Sequence, residues 1–177
     1  MILESTIINT TEGDLPEVYI LFEKAIEYQK SKNYPVWHGF DRLTLVHDVA
    51  SKNHYKIIRS EKMAMVFSVC YADPLIWGKR ETGESIYLHR IVVNPQFKGQ
   101  KLFSDVLAWA INHGIMKSKK SIRMDTWVDN ANIIDYYKSF GFQFIDNART
   151  PDDNRLAVQN RNLNVALLQY DLSDLLK

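Results

Sequence analysis

The spacing of apolar residues divides the first part of the chain into a strand and two helices. Residues 2–9 can form a first strand, and apolar positions recur at helical spacing over residues 15–26. Asp14, with Glu17 three places on, has the pattern of a capping box in front of that helix. After an aromatic-rich loop, we expect a second helix over residues 41–52.

The middle of the chain predicts a strand pair followed by a strand-helix-strand unit. Residues 54–60 and 62–72 have the pattern of paired strands with a short turn between them, and apolar residues dominate the second segment. The strongly apolar run over residues 86–93 predicts a strand near the centre of the sheet. A helix over residues 101–117 and a strand over residues 121–128 complete a βαβ unit.

The last part of the chain predicts a short helix and two further strands. The helix covers residues 130–140 and ends at Gly141, which suits a left-handed cap, and residues 142–145 return to extended structure. A polar segment, residues 147–162, precedes a final strand near residues 163–171. Since no repeat or linker interrupts the pattern, we expect the whole chain to form one α/β domain with a mixed sheet.

Composition narrows the classes of protein that fit. The chain has 177 residues, 46% of them apolar, and its 22 basic and 21 acidic residues give a net charge of +1. That balance argues against nucleic-acid binding. A membrane-spanning helix needs about 20 consecutive apolar residues, and no apolar run in the sequence is close to that length. A single cysteine, Cys70, excludes an internal disulfide framework and a multi-cysteine metal site. With no N-terminal signal pattern, these features predict a cytoplasmic protein.

The segment after the central strand is the most informative part of the sequence. The apolar run ends at Pro95, a basic turn containing Gly99 follows, and the next helix begins at once. Such a turn points several backbone N–H groups and the positive end of a helix dipole at one spot, which suits a pyrophosphate. The sequence therefore predicts a phosphorylated cofactor.

Two local patterns in this order of elements resemble the GNAT family of N-acetyltransferases over nearly the whole chain. The family's pyrophosphate loop is usually written Gln/Arg-x-x-Gly-x-Gly/Ala. Gln96 and Gly99 match it, while Lys101 replaces the final small residue. The second pattern is a helix with Asn seven places before Tyr and a Gly-Phe ending, met here by Asn130, Tyr137, Gly141 and Phe142.

The resemblance implies a fold and an activity. The fold is α/β, with a mixed, mainly antiparallel sheet of about six to seven strands flanked by about four helices and a splayed central cleft. The activity is transfer of an acetyl group from acetyl-CoA, without a metal, to a primary amine. A small-molecule amine is favoured over a protein tail because aromatic residues dominate the candidate acceptor segments. Similar proteins are commonly dimers, so a homodimer is also open. The alternative is a noncatalytic acyl-CoA-binding sensor or interaction module.

The resemblance also implies where coenzyme A binds. Backbone N–H groups at the end of the central strand would hold the acetyl carbonyl and the pantetheine arm, and the turn would hold the pyrophosphate. The residues concerned are Ile91, Val92, Val93, Gln96, Phe97, Lys98, Gly99, Gln100, Lys101 and Leu102. Lys101 either crowds the phosphates or places an ammonium beside them. Asn130 either lies near the pantetheine or pyrophosphate arm or only caps its helix.

Candidate catalytic residues are clearer for the acid than for the base. The family commonly places a tyrosine hydroxyl near the sulfur, which implies Tyr137 as general acid, while Tyr136 points about 100° away. His89 has an ordinary pKa near 6.5 and is either the base or a structural histidine. Glu84 could instead act through water, and a water relay with no dedicated base also stays open.

Aromatic residues outside these patterns are candidates for the acceptor site. They lie in the loop before the second helix and in the loop before the central strand, where the acceptor would face the cofactor. The residues that we expect to form an aromatic wall are Trp37, His38, Phe40 and Trp77.

Overall fold

The structure is a computed structural model that describes residues 5–34 and 37–175. In these ranges the helices are α1 (Leu15–Ser31), α2 (Arg42–Ala50), α3 (Pro74–Trp77), α4 (Phe103–Met116) and α5 (Ala131–Lys138). The strands are β1 (Thr6–Asn9), β2 (His54–Arg59), β3 (Lys62–Cys70), β4 (Ser85–Val93), β5 (Ser121–Trp127), β6 (Gln143–Arg149) and β7 (Asn164–Asp171). The predicted first strand begins before the described residues.

The strands form one sheet in the order β1-β2-β3-β4-β5-β7-β6. Neighbouring strands are antiparallel except β4 and β5, which are parallel. This confirms the predicted α/β class and the mixed, mainly antiparallel sheet. Five helices stand in the described ranges where about four were expected. The addition is α3, a single turn that begins with Pro74 and buries Ile76 and Trp77.

The predicted capping box at α1 is wrong. The Asp14 carboxylate turns back and accepts hydrogen bonds from the Thr11 N–H (2.7 Å) and hydroxyl (2.8 Å) instead of capping α1. It also forms an ion pair with Lys56 of β2 (2.7 Å). The spacing of Asp14 and Glu17 predicted the box, but Thr11 and Asp14 form it three residues earlier. The ion pair with Lys56 then ties the start of α1 to the sheet.

Helices cover both faces of the sheet. Side chains of α1 and α2 pack with Val66 and Val92, and side chains of α4 and α5 pack with Phe67 and Leu88. Because Val66 and Phe67 are successive residues of β3, they point to opposite faces. No helix in the described ranges is long and apolar enough to cross a membrane.

The parallel pair β4 and β5 separates after a short pairing, and this opens the predicted central cleft. Residues 85–87 pair with residues 121–123, and the two strands diverge beyond that point. On its other side β4 shifts register against β3, where Val92 faces Val66 but His89 faces Ser68. Arg90 lies in this bulge with a left-handed backbone (φ 52°). The splayed cleft is confirmed.

His54 at the start of β2 is a buried histidine held neutral by its surroundings. It has no accessible surface, and its Nδ1 lies 2.7 Å from the Thr10 hydroxyl. Burial lowers the pKa of His54 to about 4, with the Arg90 cation adding to the effect and Asp48 and Asp14 opposing it.

The unfolding free energy is therefore expected to fall as the pH drops from 6.5 to about 4. His54 of the unfolded chain binds a proton at the ordinary pKa of 6.5, whereas His54 of the folded chain binds one only near pH 4. This difference lowers the unfolding free energy by about 3 kcal/mol at pH 4. We expect His54→Gln to flatten this decline in urea unfolding, and His38→Gln, at an exposed position, to leave it unchanged. Equal slopes for wild type and His54→Gln would contradict the assignment.

Candidate active site

A cleft of about 330 Å³ lies where β4 and β5 diverge. Its walls come from α1, the loop before α2, the diverging halves of β4 and β5, the start of α5 and the segment before β7. The lining side chains most relevant to chemistry are Tyr28, Trp37, His89, Asp125, Trp127 and Tyr137. The site thus combines aromatic rings with buried ionisable groups.

The turn after β4 presents backbone donors at the start of α4. Gly99 and Lys101 both have left-handed backbones, with φ of 80° and 52°. The N–H groups of Gly99, Lys101, Leu102 and Phe103 have no hydrogen-bond acceptor among the described residues. Free donors at the N-terminus of a long helix are suited to binding an anion.

Other residues of the predicted loop have their N–H groups occupied. Gln96 donates to the Asn94 side chain (3.1 Å), and Phe97 donates to the Asn94 carbonyl (2.9 Å). The N–H groups of Lys98 and Gln100 also donate within the turn. The Phe97 side chain is only 7% exposed and packs in the core under α4. Of the predicted loop residues 96–102, only Lys98 lines the cleft, and the Phe97 side chain anchors the turn from the core.

The end of β4 borders the cleft with its backbone. Ile91, Val92 and Val93 line the cleft, and the edge of β4 that faces β5 has no partner strand beyond Tyr87. The Val92 side chain is buried against α1 and α2, so it offers only main-chain groups to the cleft. Lys98 also lines the cleft, with its ammonium over the Tyr28 ring.

Tyr137 and Asn130 approach the cleft from α5. The Tyr137 side chain is 8% exposed, and its ring packs edge-on against Phe103 with centroids 4.9 Å apart. Burial raises the pKa of Tyr137, and so do the nearby Tyr136 and Asp125, so the hydroxyl keeps its proton at neutral pH. Asn130 accepts the Ile133 N–H (3.2 Å) as a helix cap and also lines the cleft. Its two alternative roles are compatible in this position.

The two predicted bases have different surroundings. His89 lines the cleft, with its Nε2 3.1 Å from Asp73 Oδ2 and its Nδ1 3.7 Å from Asp125 Oδ1. Burial alone would lower the pKa of His89, but Cys70 and Asp73 raise it well above its ordinary value. The imidazole is then cationic at neutral pH and a poor proton acceptor. Glu84 precedes β4, forms an ion pair with Lys120 and does not line the cleft.

The predicted aromatic wall is only partly present. Trp37 lines the cleft, stacks on Phe22 (5.7 Å) and meets Trp127 edge-on (6.3 Å). Phe40 packs on Phe22 (5.1 Å) in the core beneath α1, and His38 is exposed outside the cleft lining.

Trp77 lies away from the cleft. It is 1% exposed and packs between the Tyr87 ring (5.8 Å) and the Arg123 guanidinium (4.4 Å). It is therefore a core residue that holds the closed end of the β4–β5 pair.

Trp127, Tyr28 and Asp125 line the cleft but were missed in the sequence. Asp125 and Trp127 are alternate residues of β5, so both side chains point to the same face. The alternation was visible, but it becomes informative only once the divergence of β5 from β4 is known.

Comparison with known proteins agrees with this geometry. Residues 64–142, which run from β3 through the turn to the end of α5, match the model described as the acetyltransferase (GNAT) family. The chain therefore has a segment that matches the GNAT family, residues 64–142, and a GNAT-like fold. It is an N-acetyltransferase.

A curated protein and several solved structures are similar to this acetyltransferase. The chain is 29% identical over 140 residues to an uncharacterized N-acetyltransferase, YesJ of Bacillus subtilis (strain 168). The match covers 75% of this chain and 78% of that protein. A GNAT-family acetyltransferase from Listeria monocytogenes shares its fold, with a TM-score of 0.75, 21% identity and 96% of each chain covered. The yncA protein of Salmonella typhimurium, a putative acetyltransferase solved with acetyl-CoA, has a TM-score of 0.66, with 15% identity, and covers 95% and 94% of the two chains.

The left-handed backbone conformation of Lys101 is expected to be strained, and a substitution can test this. A side chain in the left-handed region costs about 1 kcal/mol relative to glycine. We expect Lys101→Gly to raise the free energy of unfolding by about that amount, measured by urea denaturation. Lys101→Ala removes the same charge but keeps a Cβ and serves as the matched control, with no such gain expected. Equal stability of the two variants would show that the backbone there carries no strain.

Proposed function

We propose that this acetyltransferase moves the acetyl group of acetyl-CoA to the primary amine of a small molecule. The supporting observation is that the turn with free backbone donors directly continues the strand that borders the cleft. The free N–H groups at the start of α4 follow directly from the strand whose unpaired edge borders the cleft, and Tyr137 lies in the cleft wall. An anion site, a row of backbone groups and a phenol are thus arranged along one path.

The residues present fit acetyl-CoA, which would supply the thioester when bound. The N–H groups of Gly99, Lys101, Leu102 and Phe103 would donate hydrogen bonds to the pyrophosphate. The backbone of residues 91–93 would bind the pantetheine arm and the acetyl carbonyl, because its cleft edge lacks a partner strand. Asn130 borders the same cleft and would lie beside this arm.

Protein groups would serve two of the steps of direct attack. Backbone N–H groups on the cleft edge of β4 would stabilise the oxyanion that develops on the carbonyl, a type of contact worth about a hundredfold in rate. The Tyr137 hydroxyl would donate a proton to the departing thiolate. Its buried position keeps it protonated before the reaction, which is the state that this role needs.

The cleft itself favours a small acceptor. Its volume of about 330 Å³ lies at the lower end of the range for small-molecule pockets. Trp37, Trp127 and Tyr28 supply aromatic surface that would hold a cationic amine by its hydrocarbon part and by cation–π contact. These features support an amine-bearing metabolite more than an extended peptide.

Ligand binding and thiol release together test the proposal. Acetyl-CoA should raise the melting temperature, and one or more amines from a panel of amino acids, polyamines and aminoglycosides should then release free thiol. A thermal shift with no thiol release from any amine would instead support the noncatalytic acyl-CoA sensor. Absence of a shift would contradict both.

Tyr137→Phe tests the general acid. We expect this variant to lose turnover by about a hundredfold, because the thiolate then leaves without a proton, while the thermal shift with acetyl-CoA is kept. Thiol release under saturating substrates is the measurement. Tyr136→Phe is the matched control, since Tyr136 is its neighbour on α5 but does not line the cleft, and it should retain wild-type turnover. Undiminished turnover in Tyr137→Phe would remove the residue from this role.

A further inference from the structure

Asp73, His89 and Asp125 form a buried cluster at the edge of the cleft. They come from the loop before α3, from β4 and from β5, and one nitrogen or oxygen from each lies within 4.8 Å of the others. None of the three has a part in the steps described so far. Burial of three ionisable groups together is costly unless they are arranged to compensate one another.

The cluster is arranged around a cationic imidazole. One carboxylate stands at each ring nitrogen of His89, with Asp73 at Nε2 (3.1 Å) and Asp125 at Nδ1 (3.7 Å). These two nitrogens point in different directions from the ring, so the carboxylates flank the imidazole rather than converge with one nitrogen on a common ion. With a proton on each nitrogen, His89 can orient the carboxylates but has no free lone pair with which to accept a proton.

Asp125 differs from Asp73 in its access to the cleft. Asp125 lines the cleft with 17% of its side chain exposed, whereas Asp73 is 9% exposed and lies behind His89. Each carboxylate has one buried oxygen that accepts no hydrogen bond from any described residue, Oδ1 in Asp125 and Oδ2 in Asp73. Of these two incompletely satisfied carboxylates, only that of Asp125 faces the space in which an acceptor would bind.

Strand register explains this position. Tyr87 and Arg123 form the last pair between β4 and β5, and His89 and Asp125 are each two residues further on. Since alternate residues share a face, these are the first same-face side chains beyond the point of divergence. The Tyr137 hydroxyl is close enough to Asp125 for the carboxylate to raise its pKa.

We propose that Asp125 is the general base that accepts the proton of the acceptor ammonium, and that His89, held by Asp73, is a positioning residue for it. This rests on the proposed function. The ammonium gives one proton to Asp125, and the freed lone pair forms the N–C bond as the C–S bond breaks. The thiolate takes the phenolic proton of Tyr137, and the second proton lost from nitrogen restores that hydroxyl. Asp125 then releases its proton to solvent, so one proton is produced per turnover.

The proton affinity of Asp125 suits this role. Burial raises its pKa to about 6, with the cations of His89 and Arg90 opposing the rise and Asp73 adding to it. The groups that face it are thus His89 and Arg90 from β4, Asp73 from the preceding loop and Tyr137 from α5. A carboxylate with a pKa nearer to neutrality is mostly ionised at pH 7 yet binds a proton far better than an ordinary aspartate.

Asp125→Asn provides the first test, measured with an amine that supports thiol release in the wild type. We expect kcat to fall by about a hundredfold or more, with the thermal shift by acetyl-CoA unchanged. In Asp125→Ala, added formate should restore part of the rate, which a purely structural role would not allow. Asp129→Asn is the matched control, because Asp129 follows the same strand and is exposed, and it should retain wild-type kcat.

The pH profile provides a second test that does not depend on the stability of the Asp125 variants. In the wild type, kcat/KM should rise with pH through an apparent pKa near 6. In His89→Gln this limb should move to higher pH by about one unit, because a cation that stabilises the Asp125 carboxylate is gone.

Several outcomes would overturn the assignment. These are wild-type kcat in Asp125→Asn, an unmoved acidic limb in His89→Gln, or an activity that EDTA abolishes and Zn²⁺ restores. The failure of the proposed function is distinguishable, because wild-type protein would then release thiol with none of the amines.

Discussion

The early end of the pairing between β4 and β5 is the constraint on which the rest of the site depends. A parallel pair that continued would bond its backbone groups to each other and close the cleft. Here the pairing stops at Tyr87 and Arg123, and the bulge at Arg90 turns β4 away. The left-handed backbone of Arg90 costs about 1 to 3 kcal/mol, so it must be held in place. The ion pair from the Arg90 guanidinium to Asp48 of α2 (2.6 Å) does this from the face of the sheet that α1 and α2 cover.

The same divergence provides both binding and proton transfer. Strand edges without a partner leave main-chain groups for a ligand, and side chains beyond the divergence point lie in a partly desolvated space. Burial disfavours charge in any acid, so it raises the pKa of both Tyr137 and Asp125. A phenol has a high ordinary pKa, so after this rise it stays protonated and acts as a proton donor. A carboxylate has a low ordinary pKa, so after the rise it is still ionised and acts as a proton acceptor. One physical cause thus separates the two chemical roles.

Most of the fold could be predicted from the sequence because apolar spacing records which side of each element is buried. The strand over residues 86–93, the helix over residues 101–117 and the Gly99 turn between them all agree with the structure to within a few residues. Local spacing was enough because each of these elements is defined by contacts along its own length. Helix α3 was missed since four residues give too little periodicity to detect.

The site was harder to predict because it depends on where two strands part. Asp125 carries no local motif, and His89 could not be assigned to a face until the pairing of Tyr87 in β4 with Arg123 in β5 was known. Trp77 was selected for its aromatic character, which does not separate a ligand wall from a core position, and Phe97 was selected only for its place in the loop. Both are buried, at 1% and 7% exposure, and act on the site only by supporting its framework.

Lys101 shows how main-chain recognition tolerates a change of side chain. The turn is fixed on both sides by buried residues, Phe97 before it and Leu102 after it. Arg59 also reaches over from β2 to Gln100 (3.2 Å) and Asp105 (2.7 Å), which ties the turn to the first turn of α4. Because these contacts hold the backbone, the free N–H groups keep their direction whichever side chain stands at position 101. A departure from the small residue of the motif then costs conformational strain at one position without removing a single donor from the anion site.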